Sequence, residues 1–296
     1  MCGQMTEDKQ GYSSHATVSA IRYEAPVLST EGSIEYSPRG LWTPVIDPEN
    51  IAYHTLFKPF NLNHYLSPRL PIDMGWTDVS EWDNCKVNVL RMPLKFPGTP
   101  YRIPRELSAL MPLIKRAAEY ESFINKKHDR CFCHLTFDRS VVDAGLYHRY
   151  PGFHGDGIQG TKLTPKVTVE HSYILATKPP TEYCLQSFFL RHLDEAKHNY
   201  FLEFDKQAKE CNMFGSLPNH LYLIDPYMVH RTPKIEEKTE RIFARLTYAF
   251  TELQHPKNTI NPLFLGQKYN KRVDIRENLC KFEFETPYNL YGLCKV

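Results

Sequence analysis

The chain has 296 residues, a formal net charge of +2 and a charged fraction of 24%. This length supports a sizeable core and falls within the range of one elaborated β domain or barrel. The nearly neutral charge excludes a global field that would draw the protein to nucleic acid or to an anionic membrane. An aromatic content of 13% favours strands and stacked pockets over a helical bundle.

Eight cysteines are spread along the chain without a regular framework. A chain of this length does not need disulfides for stability, so the pattern favours reduced thiols and a cytoplasmic location. The first residues lack the basic and then apolar pattern of a secretion signal. We also expect no membrane span, because no apolar run reaches the ~18 residues that one requires.

The N-terminal part predicts a loose polar tail over residues 1–18, then short strands, a lid and a supporting helix over residues 19–128. Ten of the first hundred residues are prolines, which preclude long helices there. Alternation of apolar and polar residues over 86–92 predicts a strand. Apolar residues at three- and four-residue spacing predict a helix over 104–126, in which Pro112 should cause a bend or a restart.

The second half of the chain predicts a series of strands and one further helix. The predicted strands are 131–137, 166–177, 183–190, 221–229 and 242–250, and the predicted helix is 193–211. Short strands at this density predict a mainly β protein with flanking helices, folded as an antiparallel barrel or sandwich. We assign residues 129–252 to this core and residues 253–296 to a C-terminal extension, so that 1–296 form a single domain.

One short segment, Tyr150 to Gly157, contains a histidine and an aspartate separated by one residue. Residues i and i+2 of an extended backbone point to the same face, so His154 and Asp156 should present an imidazole and a carboxylate side by side. His230, after another predicted strand, supplies a second imidazole. Such a set leaves three positions of an octahedral metal open, as in non-heme Fe(II) oxygenases. The glycines flanking the aspartate should leave space there for a co-substrate and dioxygen.

The strand after His230 carries two arginines on one predicted face. Period-two alternation puts Arg241, Phe243, Arg245 and Thr247 on the same side of it. If this side lies inside the barrel, the guanidiniums are buried, which is costly unless an anion pairs with them. The far carboxylate of an iron-chelating keto acid is such an anion, and the planar fork of arginine matches its two oxygens.

The His-x-Asp pair, the distant His230 and the arginines about a dozen residues later resemble the 2-oxoglutarate/Fe(II)-dependent dioxygenase superfamily over residues 130–250. The resemblance implies a double-stranded β-helix (jelly-roll, cupin-like) core. It implies that His154, Asp156 and His230 bind Fe(II). It also implies that 2-oxoglutarate is bound by Arg241, which fits the spacing from His230, or by Arg245, with Thr247 as a helper.

The resemblance further implies an oxidoreductase, a hydroxylase that couples dioxygen and the decarboxylation of 2-oxoglutarate to oxidation of a C–H bond. The near-neutral charge favours a small polar metabolite as substrate, and a nucleobase or a protein side chain stays open. Tyr173 is either a co-substrate contact or a core residue. Two alternatives remain: a jelly-roll module that binds without catalysis, and a metal-dependent hydrolase with zinc on the same ligands. The hydrolase has no need of an inward arginine.

Overall fold

The computed structural model describes residues 59–85, 87–158, 170–194, 196–253 and 257–264. Within these ranges the α-helices are α1 (Met111–Ile124) and α2 (Tyr200–Gln207). The strands are β1 (Ile72–Trp76), β2 (Val89–Lys95), β3 (Phe132–Val142), β4 (Glu170–Ala176), β5 (Glu182–Cys184), β6 (Met213–Gly215), β7 (His220–Ile224), β8 (His230–Arg231) and β9 (Thr239–Ala249). The fold is therefore mainly β with two helices. The predicted tail and most of the predicted C-terminal extension lie outside the described residues.

The predicted helix over 104–126 forms in two parts. A 3-10 helix, Arg105–Leu110, precedes α1, and Pro112 lies in the first turn of α1. The missing N–H of a proline costs no hydrogen bond in a first turn, so the prediction of a restart is confirmed. The apolar side of α1 is buried against the sheet in the largest hydrophobic cluster, through Leu113, Ile114 and Ala117.

Three predicted elements are shorter than expected, and the strand predicted over 221–229 is only β7. The strand predicted over 183–190 is only β5, because beyond its pairing with β6 the backbone bonds to another part of the chain, with Phe188 N donating to Tyr65 O. The helix predicted over 193–211 is only α2. It begins after Asn199, whose side chain accepts from the first backbone N–H groups and so defines the start of the helix.

The strands form two antiparallel sheets. The main sheet has the order β1-β7-β4-β9-β3-β2, and the small sheet has the order β6-β5-β8. His154 forms a further antiparallel bridge to His230 on β8, with N–H···O distances of 3.0 and 2.9 Å. The segment that carries the His-x-Asp pair therefore extends the small sheet beyond β8.

The two faces of β9, a strand inside the main sheet, differ in polarity. One face packs in the same cluster as α1, with Ile242, Ala244, Leu246 and Tyr248. The other face carries Arg241, Phe243, Arg245 and Thr247. Phe243 packs there against Tyr183 of the small sheet and Met228, so this face lies between the two sheets. Arg241 and Arg245 are 0% and 7% exposed, which confirms that the arginine face points inward.

Candidate metal centre

The side chains of His154, Asp156 and His230 meet between the two sheets. One ligand atom from each residue lies within 4.8 Å of the other two, which makes a group compact enough to hold a single ion. Asp156 and His230 are buried and His154 is half-buried. Within the part of the chain that the structure describes, it is the one cluster of three or more histidines, cysteines or carboxylates with this geometry.

Backbone carbonyls orient both imidazoles. His154 Nδ1 lies 3.0 Å from Gly152 O, and His230 Nδ1 lies 2.9 Å from Met228 O. A carbonyl oxygen only accepts, so each Nδ1 carries the proton and each Nε2 has its lone pair available for a metal. This second hydrogen bond of a ligating histidine is typical of metal sites, where it fixes the tautomer and the ring plane.

The protonation states of the site suit a cation. Burial and the neighbouring His230 lower the pKa of His154 to about 3, so its imidazole is neutral at physiological pH. Burial alone would raise the pKa of Asp156, but the charge of Arg245 holds this pKa well below the usual value. The site therefore presents a neutral imidazole at His154 beside an ionised carboxylate, which are donor types that Fe(II) accepts.

The neighbouring elements hold the two halves of the site in place. On the first half, Asp205 Oδ1 of α2 accepts from Phe153 N at 2.7 Å. On the second half, His230 pairs with Tyr183 of β5. The main sheet contributes Arg245, whose Nη1 donates to Asp156 Oδ1 at 2.9 Å. The three candidate ligands are thus positioned by contacts from both sheets and from a helix.

The glycines on either side of the aspartate have a different role from the one expected. A Cβ at Gly155 would lie 2.9 Å from Pro226 O and closer still to the Tyr65 hydroxyl. A Cβ at Gly157 would lie 3.0 Å from Pro226 O and 2.5 Å from Phe60 Cε2. The space beside these glycines is filled by protein, so the expectation that they leave room for ligands is wrong. They permit the segment to pack closely on the chain before β8.

Arg241 lies at the other end of the inward face and has neutral acceptors. Its Nε donates to Pro179 O at 2.8 Å, and its Nη1 donates to His148 Nδ1 at 2.8 Å. Its Nη2 has no hydrogen-bond partner among the residues that the structure describes. Burial, with the charge of Arg149, lowers the pKa of Arg241 to about 9, which leaves it a cation at neutral pH.

The other two residues predicted to bind the co-substrate lie on opposite faces of the main sheet. Thr247 is on the inward face, with its Oγ1 3.3 Å from Ser172 Oγ. Tyr173 is on the face that packs against α1, where its hydroxyl donates to Glu121 Oε2 at 2.8 Å. The structure does not bring Tyr173 to the triad, and the core interpretation describes its contacts.

Sequence reasoning missed His148, which lies beside Arg241, and Asp138, which lies next to His148. His148 Nε2 is 3.0 Å from Asp138 Oδ1, and both side chains are 0% exposed. A signal was present in β3, where alternate residues are polar and face inward: His134, Thr136, Asp138 and Ser140. No comparable pattern marks His148, which lies in the irregular segment between β3 and the bridge residue His154.

Comparison with known proteins gives only weak structural likenesses. No protein-family model matches the chain, and no curated protein matches it. EvdO2 from Micromonospora carbonacea var. aurantiaca is 11% identical over 53% of this chain and 71% of that one, with a TM-score of 0.32, and a structure of EvdO2 complexed with 2-oxoglutarate is also known. HygX from Streptomyces hygroscopicus, with iron bound, is 16% identical over 58% and 82% of the two chains, with a TM-score of 0.32. AviO1 from Streptomyces viridochromogenes Tue57 is 10% identical over 66% and 95%, with a TM-score of 0.34.

The functional proposal therefore rests on the geometry of this chain.

No helix in the described ranges combines the length and the apolar character needed to cross a membrane.

Proposed function

We propose that this protein is a 2-oxoglutarate- and Fe(II)-dependent oxygenase that hydroxylates a small polar molecule. One observation carries the proposal. His154, Asp156 and His230 meet within 4.8 Å, with both imidazoles presenting Nε2 and with buried arginines on the facing strand. Three ligands of these types leave half of an octahedral coordination sphere open, which suits a chelating co-substrate and dioxygen.

The order of the strands supports a double-stranded β-helix core. In the first half of the core, β3 lies in the main sheet, the segment at His154 extends the small sheet, and β4 and β5 return to the main and small sheets. In the second half, β6, β7, β8 and β9 visit the same sheets in reverse order. This symmetric alternation is what a long hairpin wound into a jelly roll produces.

Ferrous iron bound there would supply the activation of dioxygen, with 2-oxoglutarate decarboxylated to succinate and carbon dioxide and a substrate C–H converted to C–OH. The residues of the chain prepare this chemistry. Arg245 fixes one oxygen of Asp156, and the carbonyls of Gly152 and Met228 fix the two imidazoles. Held in this way, the ligands need little reorganisation when the metal binds.

Arg241 is the better candidate for binding the distal carboxylate of 2-oxoglutarate. Arg245 already donates to the carboxylate of Asp156, which offsets its charge. Arg241 is fully buried and donates only to a carbonyl and an imidazole among the described residues. A buried cation with neutral partners gains most from a ligand that brings a carboxylate, since a charge-assisted bidentate pair is stronger than a neutral hydrogen bond.

The test is to load the purified protein with Fe(II) without oxygen and to titrate it with 2-oxoglutarate. We expect the visible absorption band of a keto acid chelated to ferrous iron, followed by succinate formation when oxygen is admitted. His154→Ala should lose the band and the succinate. His220→Ala is the matched control, since this histidine contacts a carboxylate, Asp73, at the edge of the main sheet.

The outcomes separate the proposed enzyme from its two alternatives. A protein that binds iron but neither chelates nor consumes the keto acid would be a binding module. A protein that is active with zinc and indifferent to the keto acid would be a hydrolase. Either result would contradict the proposal.

A further inference from the structure

Four ionisable side chains form a chain of contacts at the Arg241 end of the inward face. Arg241 Nη1 donates to His148 Nδ1 at 2.8 Å. His148 Nε2 lies 3.0 Å from Asp138 Oδ1. Arg149 Nη1 lies 3.6 Å from the second oxygen, Asp138 Oδ2. Arg241, His148 and Asp138 are fully buried, so water does not screen these charges.

The contacts define where the proton of His148 lies. A guanidinium only donates, so His148 Nδ1 accepts from Arg241 and carries no proton. Burial and the charges of Arg241 and Arg149 hold the pKa of His148 well below its ordinary value, so the ring is neutral. Its single proton is therefore on Nε2, which lies 3.0 Å from Asp138 Oδ1 without making a hydrogen bond to it.

A neutral ring between Asp138 and Arg241 keeps the carboxyl group and the guanidinium apart. Asp138 has Arg149 beside it as a counter-ion, at 3.6 Å. Arg241 has no carboxylate within ion-pair distance in the described part of the chain, and its Nη2 lacks a hydrogen-bond partner there. A carboxylate in place of His148 would pair with Arg241 directly and compete with any anionic ligand.

We propose that His148 is a positioning residue for the keto acid, which orients Arg241 through Nδ1 and separates it from the Asp138 carboxylate. This inference rests on the proposed function, in which Arg241 binds the distal carboxylate of 2-oxoglutarate. It also predicts which chelator the site prefers: a keto acid with a second carboxylate should bind more tightly than a chelator that lacks a distal group.

The test compares His148→Asn with His148→Asp, two side chains of nearly equal shape that differ in charge. Each Fe(II)-loaded protein is titrated without oxygen with 2-oxoglutarate and with oxalate, which chelates iron but has no distal group. We expect His148→Asp to raise the dissociation constant of 2-oxoglutarate by about 10- to 100-fold, the range for losing a charge-assisted pair. Oxalate affinity should not change. His148→Asn keeps a neutral acceptor and should stay within about fivefold of the unmodified protein.

Several results would overturn the inference. His148→Asp could bind 2-oxoglutarate as well as the unmodified protein does, or His148→Asn could lose as much affinity as His148→Asp. Equal losses for oxalate and 2-oxoglutarate would place the effect at the metal. Failure of the unmodified protein to bind 2-oxoglutarate would instead contradict the proposed function, so the two failures are distinguishable.

A second measurement does not depend on whether the variants fold. Nitrogen NMR of the unmodified protein at neutral pH reports the tautomer of His148, with the signal assigned by its loss in His148→Asn or by selective labelling. We expect a protonated Nε2 and an unprotonated Nδ1. A protonated Nδ1 would mean that His148 does not accept from Arg241, and the proposed role would be wrong.

Discussion

Arg245 Nη1 donates to Asp156 Oδ1 over 2.9 Å, and this contact joins two sheets that share no strand pairing at that point. Arg245 lies on β9 of the main sheet, whereas Asp156 follows the segment that bridges to β8 of the small sheet. Both side chains are buried, at 7% and 5% exposure. The contact fixes the carboxylate in the ionised form and in one orientation, which are the two properties that a metal ligand requires.

Replacing Arg245 should weaken metal binding. We expect Arg245→Gln to reduce the affinity for Fe(II) by about 10- to 100-fold, the usual effect of losing a residue that orients a ligand. An anaerobic Fe(II) titration measures this. Arg139→Gln is the matched control, since Arg139 pairs with Asp83 and Glu240 at the surface and should leave the affinity unchanged. An unaltered affinity in Arg245→Gln would contradict the assigned role.

Substitutions of Arg241 and of Arg245 should affect different binding steps. Arg241→Gln should raise the dissociation constant of 2-oxoglutarate by about 100-fold, because a charge-assisted pair is lost, while Fe(II) binding is retained. Titration of each variant with metal and then with 2-oxoglutarate separates the two effects. If Arg245→Gln keeps iron and loses the keto acid, the two roles are reversed. If neither variant changes the requirement for 2-oxoglutarate, the co-substrate assignment is wrong.

Close packing around Gly157 predicts a steric effect on the metal site. A methyl group in Gly157→Ala would meet Pro226 O at 3.0 Å and Phe60 Cε2 at 2.5 Å. We expect a loss of about 1–3 kcal/mol in the free energy of unfolding and weaker Fe(II) binding, because Asp156 is the preceding residue.

Gly215→Ala is the control for that substitution. A Cβ there has no atom within 4 Å among the described residues, so the free energy of unfolding should change by no more than about 0.5 kcal/mol. Thermal or denaturant unfolding measures both variants. Equal stability of Gly157→Ala and Gly215→Ala would show that the segment moves freely, against the packing described above.

The pair of Glu121 on α1 and His171 on β4 predicts a pH dependence of stability. Glu121 is fully buried, lies 3.0 Å from His171 Nδ1 and accepts from Asn125 and Tyr173, both at 2.8 Å. Burial alone would raise the pKa of Glu121, but the His171 charge and these hydrogen bonds hold it below the usual value. Its stabilising effect is therefore fully present above the unfolded value of about 4.3 and is lost as the pH falls through the folded pKa.

Glu121→Gln should lower the free energy of unfolding by about 3 kcal/mol at pH 7, since one partner of a buried pair loses its charge. The difference from the unmodified protein should narrow below about pH 4.3. Glu119→Gln, on the exposed side of the same helix, should change stability by less than about 0.5 kcal/mol at any pH. A difference for Glu121→Gln that stays constant between pH 3 and pH 7 would contradict the assignment.

Local patterns predicted much of the secondary structure. The alternation in β4 and β9 and the proline-marked start of α1 depend on neighbouring residues only, and they agree with the structure. The predicted strand over 183–190 was too long because a distant partner takes up its backbone, with Phe188 N donating to Tyr65 O. The predicted helix over 193–211 was too long because it begins only after its N-cap, Asn199.

The position of Tyr173 likewise depended on local pattern in part and on distant contacts in part. Alternation correctly put Tyr173 on the opposite side of β4 from Ser172, but it could not tell which side faces the arginines. The strand register decides this, since Ser172 pairs with Thr247 and Tyr173 pairs with Leu246. Register depends on long-range pairing and on burial of one face, which no short stretch of sequence specifies.

The sequence by itself determined which types of side chain are available to bind a metal. It also determined that the side chains of His154 and Asp156 project from the same face of one short segment. Only the tertiary structure brought His230 beside them, because that contact depends on the bridge between two segments far apart in the chain. It also decided that Arg245 pairs with Asp156, while Arg241 is held by the neutral ring of His148. Charge pairing in a buried site is set by which groups share a water-free space, and that follows from packing in three dimensions.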